Sequence, residues 1–185
     1  MARTPSNMLP LETQAPNFSL EDTVTDSILS LDQIKGEKGT VIMFICNHCP
    51  FVIHVNPEIV SIANTYTEKG IGFAAISSND VVNYPQDNPE KMKAHANNEG
   101  YSFPYLYDET QDIAKAYDAA CTPDFYVFDE ALKLVYRGQL DDYRPENGIP
   151  LNGNDLREAI ECLIEGKDNT SLQKPSIGCN IKWKV

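Results

Sequence analysis

The run Cys46-Asn47-His48-Cys49-Pro50 places two thiols and an imidazole side by side, a set suited to thiol–disulfide exchange or to holding a soft metal ion. Proline is tolerated at the first position of a helix, where its missing N–H would have had no intrahelical partner. Cys49 therefore falls at or next to a helix N-cap. Unpaired N–H groups and the positive end of the helix dipole stabilise a thiolate there, and such settings lower a cysteine pKa from about 8.5 to roughly 3.5–7.5. Cys49 is the expected nucleophile. Cys46 is the first candidate for a second thiol. Fully extended residues would hold the two Cα atoms roughly 10 Å apart, whereas a disulfide needs about 4.4–6.8 Å, so Asn47-His48 must turn for this pair to close. Asparagine accepts such turns readily. The alternative is that Cys46 points into the core from a strand end, which makes Cys179, near the C-terminus, the resolving thiol. His48 is a candidate substrate contact that adds positive charge near the thiolate. A metal bound by Cys46, His48 and Cys49 is the competing reading; the expectation is that no metal or other cofactor is required.

These residues need a strand before them and a helix after them. Val41 to Ile45 is a short apolar, partly β-branched run, which reads as a central strand buried on both faces. Beyond Pro50, Ile59, Ile62, Ala63 and Tyr66 recur at helical spacing, with Gly70 as the stop. Ile71 to Ile76 is a second buried strand, so the segment forms a βαβ unit with parallel strands. Ligands of open α/β sheets sit beyond the carboxyl ends of the strands, which brings Ser77 to Asp80 to the rim of Cys49, with Asn79 a candidate contact. Asn17 to Leu20 and Asp26 to Ser30 read as an N-terminal hairpin. Pro85 to Pro89 reads as a loop, Pro89 to Asn98 as a polar helix and Thr110 to Tyr117 as a short one, a segment expected to carry little chemistry. In it His95 should face solvent, while His54 should pack beside its helix. Leu134 to Gly138 reads as a strand, and a helix capped around Gly153 carries Leu156, Ala159, Ile160, Leu163 and Ile164 on one face, with Cys162 expected in the core.

A chain of 185 residues fits one domain with some decoration. Its net charge of −12 disfavours nucleic acid and anionic membranes as partners. Residues Met1 to Pro16 hold no apolar h-region, and no long apolar stretch follows. Five cysteines, an odd number, do not resemble a secreted disulfide framework, so a cytoplasmic protein with reactive or buried thiols is expected.

Strand, Cys49, proline turn, helix and then Pro57, eight residues beyond the cysteine, resemble the thioredoxin-like superfamily. Its helices carry a kinking proline at that place, and this register sets Cys49, not Cys46, as the first cysteine. Val52 then stands where the family has its second. Cys121-Thr122-Pro123 resembles the family's Thr-Pro before an antiparallel strand opposite the cysteine. The APNFSL run at Ala15 to Leu20, followed by Leu29-Ser30-Leu31, narrows the likeness to the alkyl hydroperoxide reductase and thiol-specific antioxidant (AhpC/TSA) branch. The resemblance implies an α/β thioredoxin-like fold, a central mixed sheet flanked by helices, with an N-terminal hairpin and a C-terminal tail. It divides the chain into an extension at 1–15, the domain at 16–166 and a tail at 167–185. The tail carries a cysteine and the sole tryptophan, a composition that suits docking on the domain. The resemblance also implies a cis Thr122-Pro123 peptide whose backbone offers a short edge to an extended substrate, making Pro50, Thr122 and Pro123 substrate contacts.

Peroxiredoxins carry a proline seven residues before the active cysteine, a threonine or serine three before it, and an arginine across the site. Ile42, Cys46 and Pro123 stand at those places here. Without the threonine and arginine little remains to orient a peroxide. The leading expectation is a thiol–disulfide oxidoreductase in which Cys49 attacks and Cys46 or Cys179 resolves. A thiol-dependent peroxidase is the alternative, followed by a metal-binding or non-catalytic interaction module. The expected partners are a protein or small-molecule disulfide or thiol and a thiol reductant such as a thioredoxin.

Overall fold

The structure is a computed structural model and describes residues 3–145 and 147–185. Among the described residues, ten strands and five α-helices run in the order β1 (Arg3–Pro5), β2 (Ser19–Asp22), β3 (Ser27–Ser30), α1 (Leu31–Ile34), β4 (Gly39–Phe44), α2 (Pro50–Thr67), β5 (Ile71–Ser77), α3 (Pro89–Glu99), β6 (Tyr105–Tyr107), α4 (Asp112–Ala116), β7 (Cys121–Thr122), β8 (Asp124–Asp129), β9 (Leu134–Gly138), α5 (Asn154–Ile164) and β10 (Ile177–Asn180). A seven-stranded sheet has the order β3-β2-β6-β5-β4-β8-β9. In it β4 and β5 are parallel, as are β5 and β6, and the other neighbours are antiparallel. The sheet is mixed, helices cover both faces, and the fold is thioredoxin-like.

Strand β4 is central because all six of its residues are buried, as its apolar run requires. Alternate side chains leave it on opposite faces. Val41 and Met43 join Ile59, Ile62, Tyr66, Met92, Leu156 and Ile160 under α2, α3 and α5, while Ile42 and Phe44 join Leu31, Ala114, Tyr117, Tyr126 and Phe128 under α1 and α4. Burying each such side chain contributes about 1.5–3 kcal/mol, so the strand that precedes Cys49 is firmly held.

A second sheet, β1-β10-β7, lies outside this frame. It joins Arg3–Pro5 and Ile177–Asn180 to the two-residue strand before Pro123. Strand β6 is an addition to the sequence reading, too short to show an alternating pattern. Three side chains depart from expectation. His95 is half-buried and bonded to the Asn56 amide, because α3 packs on α2. His54 is exposed, touching the Tyr143 ring edge, because it lies off the apolar stripe of α2. Cys162 is half-buried, since the stripe of α5 centres on Leu156, Ala159 and Ile160. No helix among the described residues is long and apolar enough to cross a membrane.

Candidate active site

Helix α2 begins at Pro50 with Cys49 as its N-cap, in extended backbone at φ −72° and ψ 119°. The parallel strands β4 and β5 both end at this edge of the sheet. The Thr122-Pro123 peptide, which is cis, meets it from β7. The Cys49 sulfur lies 3.2 Å from the Thr122 carbonyl oxygen, to which the protonated thiol donates. Cys46, two residues past the end of β4, turns toward the same threonine, with its sulfur 3.5 Å from Thr122 Oγ1. It is buried but does not point away from the site.

The C-terminal segment supplies the third sulfur. Cys179 pairs with Thr122 across the β10–β7 ladder, and its sulfur stands 2.9 Å from that of Cys49. All five cysteines are thiols in the structure. Cys49 is lowered to a pKa of about 5. The largest cause is a hydrogen bond from Cys46; burial opposes it, and the Cys179 thiol with the backbone N–H groups of Cys179 and Val52 lowers it further. The Val52 N–H belongs to the first turn of α2, so the helix start acts on the sulfur as expected. One thiolate among three sulfurs raises the other two. Cys46 is held well above its ordinary value, first by its bond to Cys49, then by burial and the Asp87 charge, while Cys179 is pushed up to about 12 by burial and then by Cys49. The arrangement is one nucleophile with two protonated neighbours. Cys121, also close by, is a buried thiol raised by burial and by Asp124.

Asp87 was not distinguished in the sequence from the other acids of its loop, yet it organises the turn between the two cysteines. Its side chain is fully buried. Oδ1 accepts the Asn47 backbone N–H at 2.9 Å, while Oδ2 faces His48 Nδ1 at 2.6 Å and accepts the Asn79 amide at 2.8 Å. His48 is stacked on Tyr84, ring centroids 5.7 Å apart. His48 is therefore a partner of Asp87, and its charge when protonated is balanced there. The ligand atoms of Cys46, His48 and Asp87 lie within 4.8 Å of one another, so Asp87 takes the place that Cys49 had in the competing metal reading. All three of its polar bonds are already satisfied within the protein.

Ser77, Ser78, Asn79 and Asp80 are buried and do not form an open rim. The C-terminal segment lies across them: the Lys182 N–H donates to Asn79 Oδ1 at 2.8 Å, and the Asp80 N–H donates to the Lys182 carbonyl at 2.8 Å. The edge expected to receive an extended substrate at Thr122 is likewise occupied, by β10 of the same chain. Pro50 is half-buried at the start of α2, and Pro123 lines a cleft with Phe51 and Ile177.

An uncharacterised conserved protein of Geobacillus kaustophilus has a crystal structure similar to this chain, at 59% identity and a TM-score of 0.98, covering 100% of this chain and 97% of that one. A hypothetical protein of Sinorhizobium meliloti 1021 is similar at 43% identity and a TM-score of 0.96, over 98% of this chain and 99% of that one. The thioredoxin domain of a thiol-disulfide oxidoreductase from Bacteroides vulgatus shares the fold at 17% identity and a TM-score of 0.63, over 83% and 99% of the two chains. None of the curated proteins compared matches the chain. Residues 11–137 match the AhpC/TSA family, a span that takes in the hairpin, Cys46, Cys49, Asp87 and the cis-proline turn, and the protein belongs to that family.

Proposed function

We propose that the protein is a thiol–disulfide oxidoreductase in which Cys49 is the nucleophile and Cys179 the resolving thiol. The observation that carries this reading is the 2.9 Å separation of the two sulfurs at the start of α2. The low pKa of Cys49 makes it the thiolate at neutral pH, and only the thiolate attacks a disulfide. In the first step the Cys49 thiolate attacks one sulfur of a substrate disulfide and expels the other as a thiolate. Cys179 then attacks the Cys49 sulfur of the mixed disulfide, its proton passing to the departing thiolate. Two protein thiols become one disulfide, and the substrate disulfide becomes two thiols. Cys46 serves as donor to the Cys49 thiolate, and Asp87 and Asn79 hold the turn that presents it.

Thiol-dependent peroxidase activity is the second reading, favoured by the family match. The same two thiols serve it, but Cys46 and Pro123 occupy the places where peroxiredoxins orient the peroxide. Turnover assays separate the two readings. The purified protein is given a disulfide or a hydroperoxide with a thiol reductant, beside Cys49→Ser and Cys179→Ser variants. Disulfide turnover that is lost in Cys49→Ser, and that stalls as a mixed disulfide in Cys179→Ser, is the expected result. Turnover with hydroperoxide alone would favour the second reading.

A further inference from the structure

A polypeptide disulfide reaches a thioredoxin-type cysteine by laying an extended strand on the edge before the cis-proline. In this protein that edge is filled. Strand β10 pairs antiparallel with β7, Cys179 opposite Thr122 and Asn180 opposite Cys121. The residue before Cys179 explains how close β10 comes: a Cβ added to Gly178 would lie 1.9 Å from the Thr122 carbonyl oxygen. Only glycine lets β10 seat against that peptide.

The segment is anchored on both sides of the cysteine. The Ser6 N–H donates to the Ser176 carbonyl at 2.8 Å, and the Ser176 hydroxyl donates to the Pro123 carbonyl at 2.5 Å. Beyond the strand, the Ile181 N–H donates to the Ala120 carbonyl, the Gln111 side chain bonds the Lys182 carbonyl and the Lys184 N–H, and Ile181 is buried. Cys49 beneath it is 0% exposed. Replacing β10 by a substrate strand would require breaking this whole set of bonds. Between the first turn of α2 and β10 lies a cleft lined by Phe51, Val55, Pro123, Tyr143, Arg144 and Ile177, and neither sulfur lines it.

We infer that β10 is a built-in occupant of the substrate edge that restricts Cys49 to low-molecular-weight disulfides and keeps polypeptide disulfides out, with Gly178 as the residue that sets this specificity. The inference rests on Cys49 being the disulfide-reactive thiol. A small disulfide reaches Cys49 during a local opening of β10, whereas a polypeptide needs the edge itself. Cys49 attacks the disulfide and expels a thiolate, and Cys179 displaces the second thiolate, leaving the Cys49–Cys179 disulfide that pins β10 in place.

The experiment uses two probes with the same leaving group. One is the symmetrical aromatic disulfide of thionitrobenzoate. The other is an extended peptide whose single cysteine is capped with thionitrobenzoate. Release of the coloured thiolate is followed for the reduced full-length protein, Gly178→Ala and Gln111→Ala. The wild-type protein is expected to react with the peptide probe at least about tenfold more slowly than with the small one, because the strand-pairing edge is unavailable. Both variants are expected to narrow that ratio by speeding the peptide arm, Gly178→Ala by unseating β10 and Gln111→Ala by loosening its end far from the sulfurs. Comparable rates of the wild-type protein with the two probes, or an unchanged ratio in both variants, overturn the inference and leave the oxidoreductase reading standing. Absence of release from either probe overturns that reading and the inference with it.

Discussion

His48 Nδ1 stands 2.6 Å from Asp87 Oδ2, and the carboxylate of this pair is fully buried while the imidazole is part exposed. The contact ties the turn between the two cysteines of the Cys46-Asn47-His48-Cys49 run to the loop before α3. Burial alone would raise the Asp87 pKa, but the bonds from His48, Asn79 and the Asn47 N–H outweigh it and hold the carboxyl below its ordinary value. A depressed carboxylate contributes stability that is present above its unfolded pKa and lost as the pH falls through the folded one.

Asp87→Asn is accordingly expected to destabilise the protein at neutral pH by about 1–3 kcal/mol. It should also flatten the acid side of the stability curve below the ordinary carboxylate pKa of about 3.9. Denaturant melts of both proteins across acid and neutral pH measure this. A variant as stable as the wild type at neutral pH would mean that Asp87 does not hold the turn.

The largest cause of the low Cys49 pKa is the bond from Cys46. Cys46→Ala is therefore expected to move the Cys49 titration upward from about 5, read from thiolate absorbance in the far ultraviolet. The thiolate's contribution to stability is fully present above the ordinary thiol pKa and is lost as the pH falls through about 5. An unchanged midpoint in the variant would transfer the effect to the helix start and to Cys179.

Behind the cis-proline, Arg137 Nη2 donates to Asp124 Oδ2 at 3.0 Å, and both side chains are fully buried. The Arg137 guanidinium also lies over the Tyr126 ring, 4.7 Å from its centroid, and its Nε and Nη1 are buried without a partner among the described residues. Removing the carboxylate would leave that cation unpaired in the interior. Asp124→Ala is expected to cost about 3–5 kcal/mol, measured by equilibrium unfolding. A loss below 1 kcal/mol, on the order of a surface pair, would show that the interior relaxes around Arg137.

What the sequence made legible is local. The apolar run of β4, the Cys49-Pro50 helix start and the Gly70 stop each follow from neighbours in the chain. The cis peptide at Thr122-Pro123 was reached by family likeness, not by pattern. The placement of β10 was not legible, because Cys179 meets Cys49 across 130 residues of chain and a four-residue strand carries no period of its own. Nor was Asp87: in a chain with 27 acidic residues, one carboxylate in a proline-rich loop looks like solvated surface. Gly178 was the available signal. A glycine beside a cysteine in a tail with a tryptophan marks a close backbone approach, but nothing in the sequence says to what.

The most direct test of the proposed chemistry is disulfide mapping by mass spectrometry after mild oxidation of the full-length protein, alongside Cys46→Ser and Cys179→Ser. The account predicts a Cys49–Cys179 disulfide in the wild-type protein and in Cys46→Ser. A wild-type protein that forms the Cys46–Cys49 disulfide, with Cys179 left as a thiol, would contradict it.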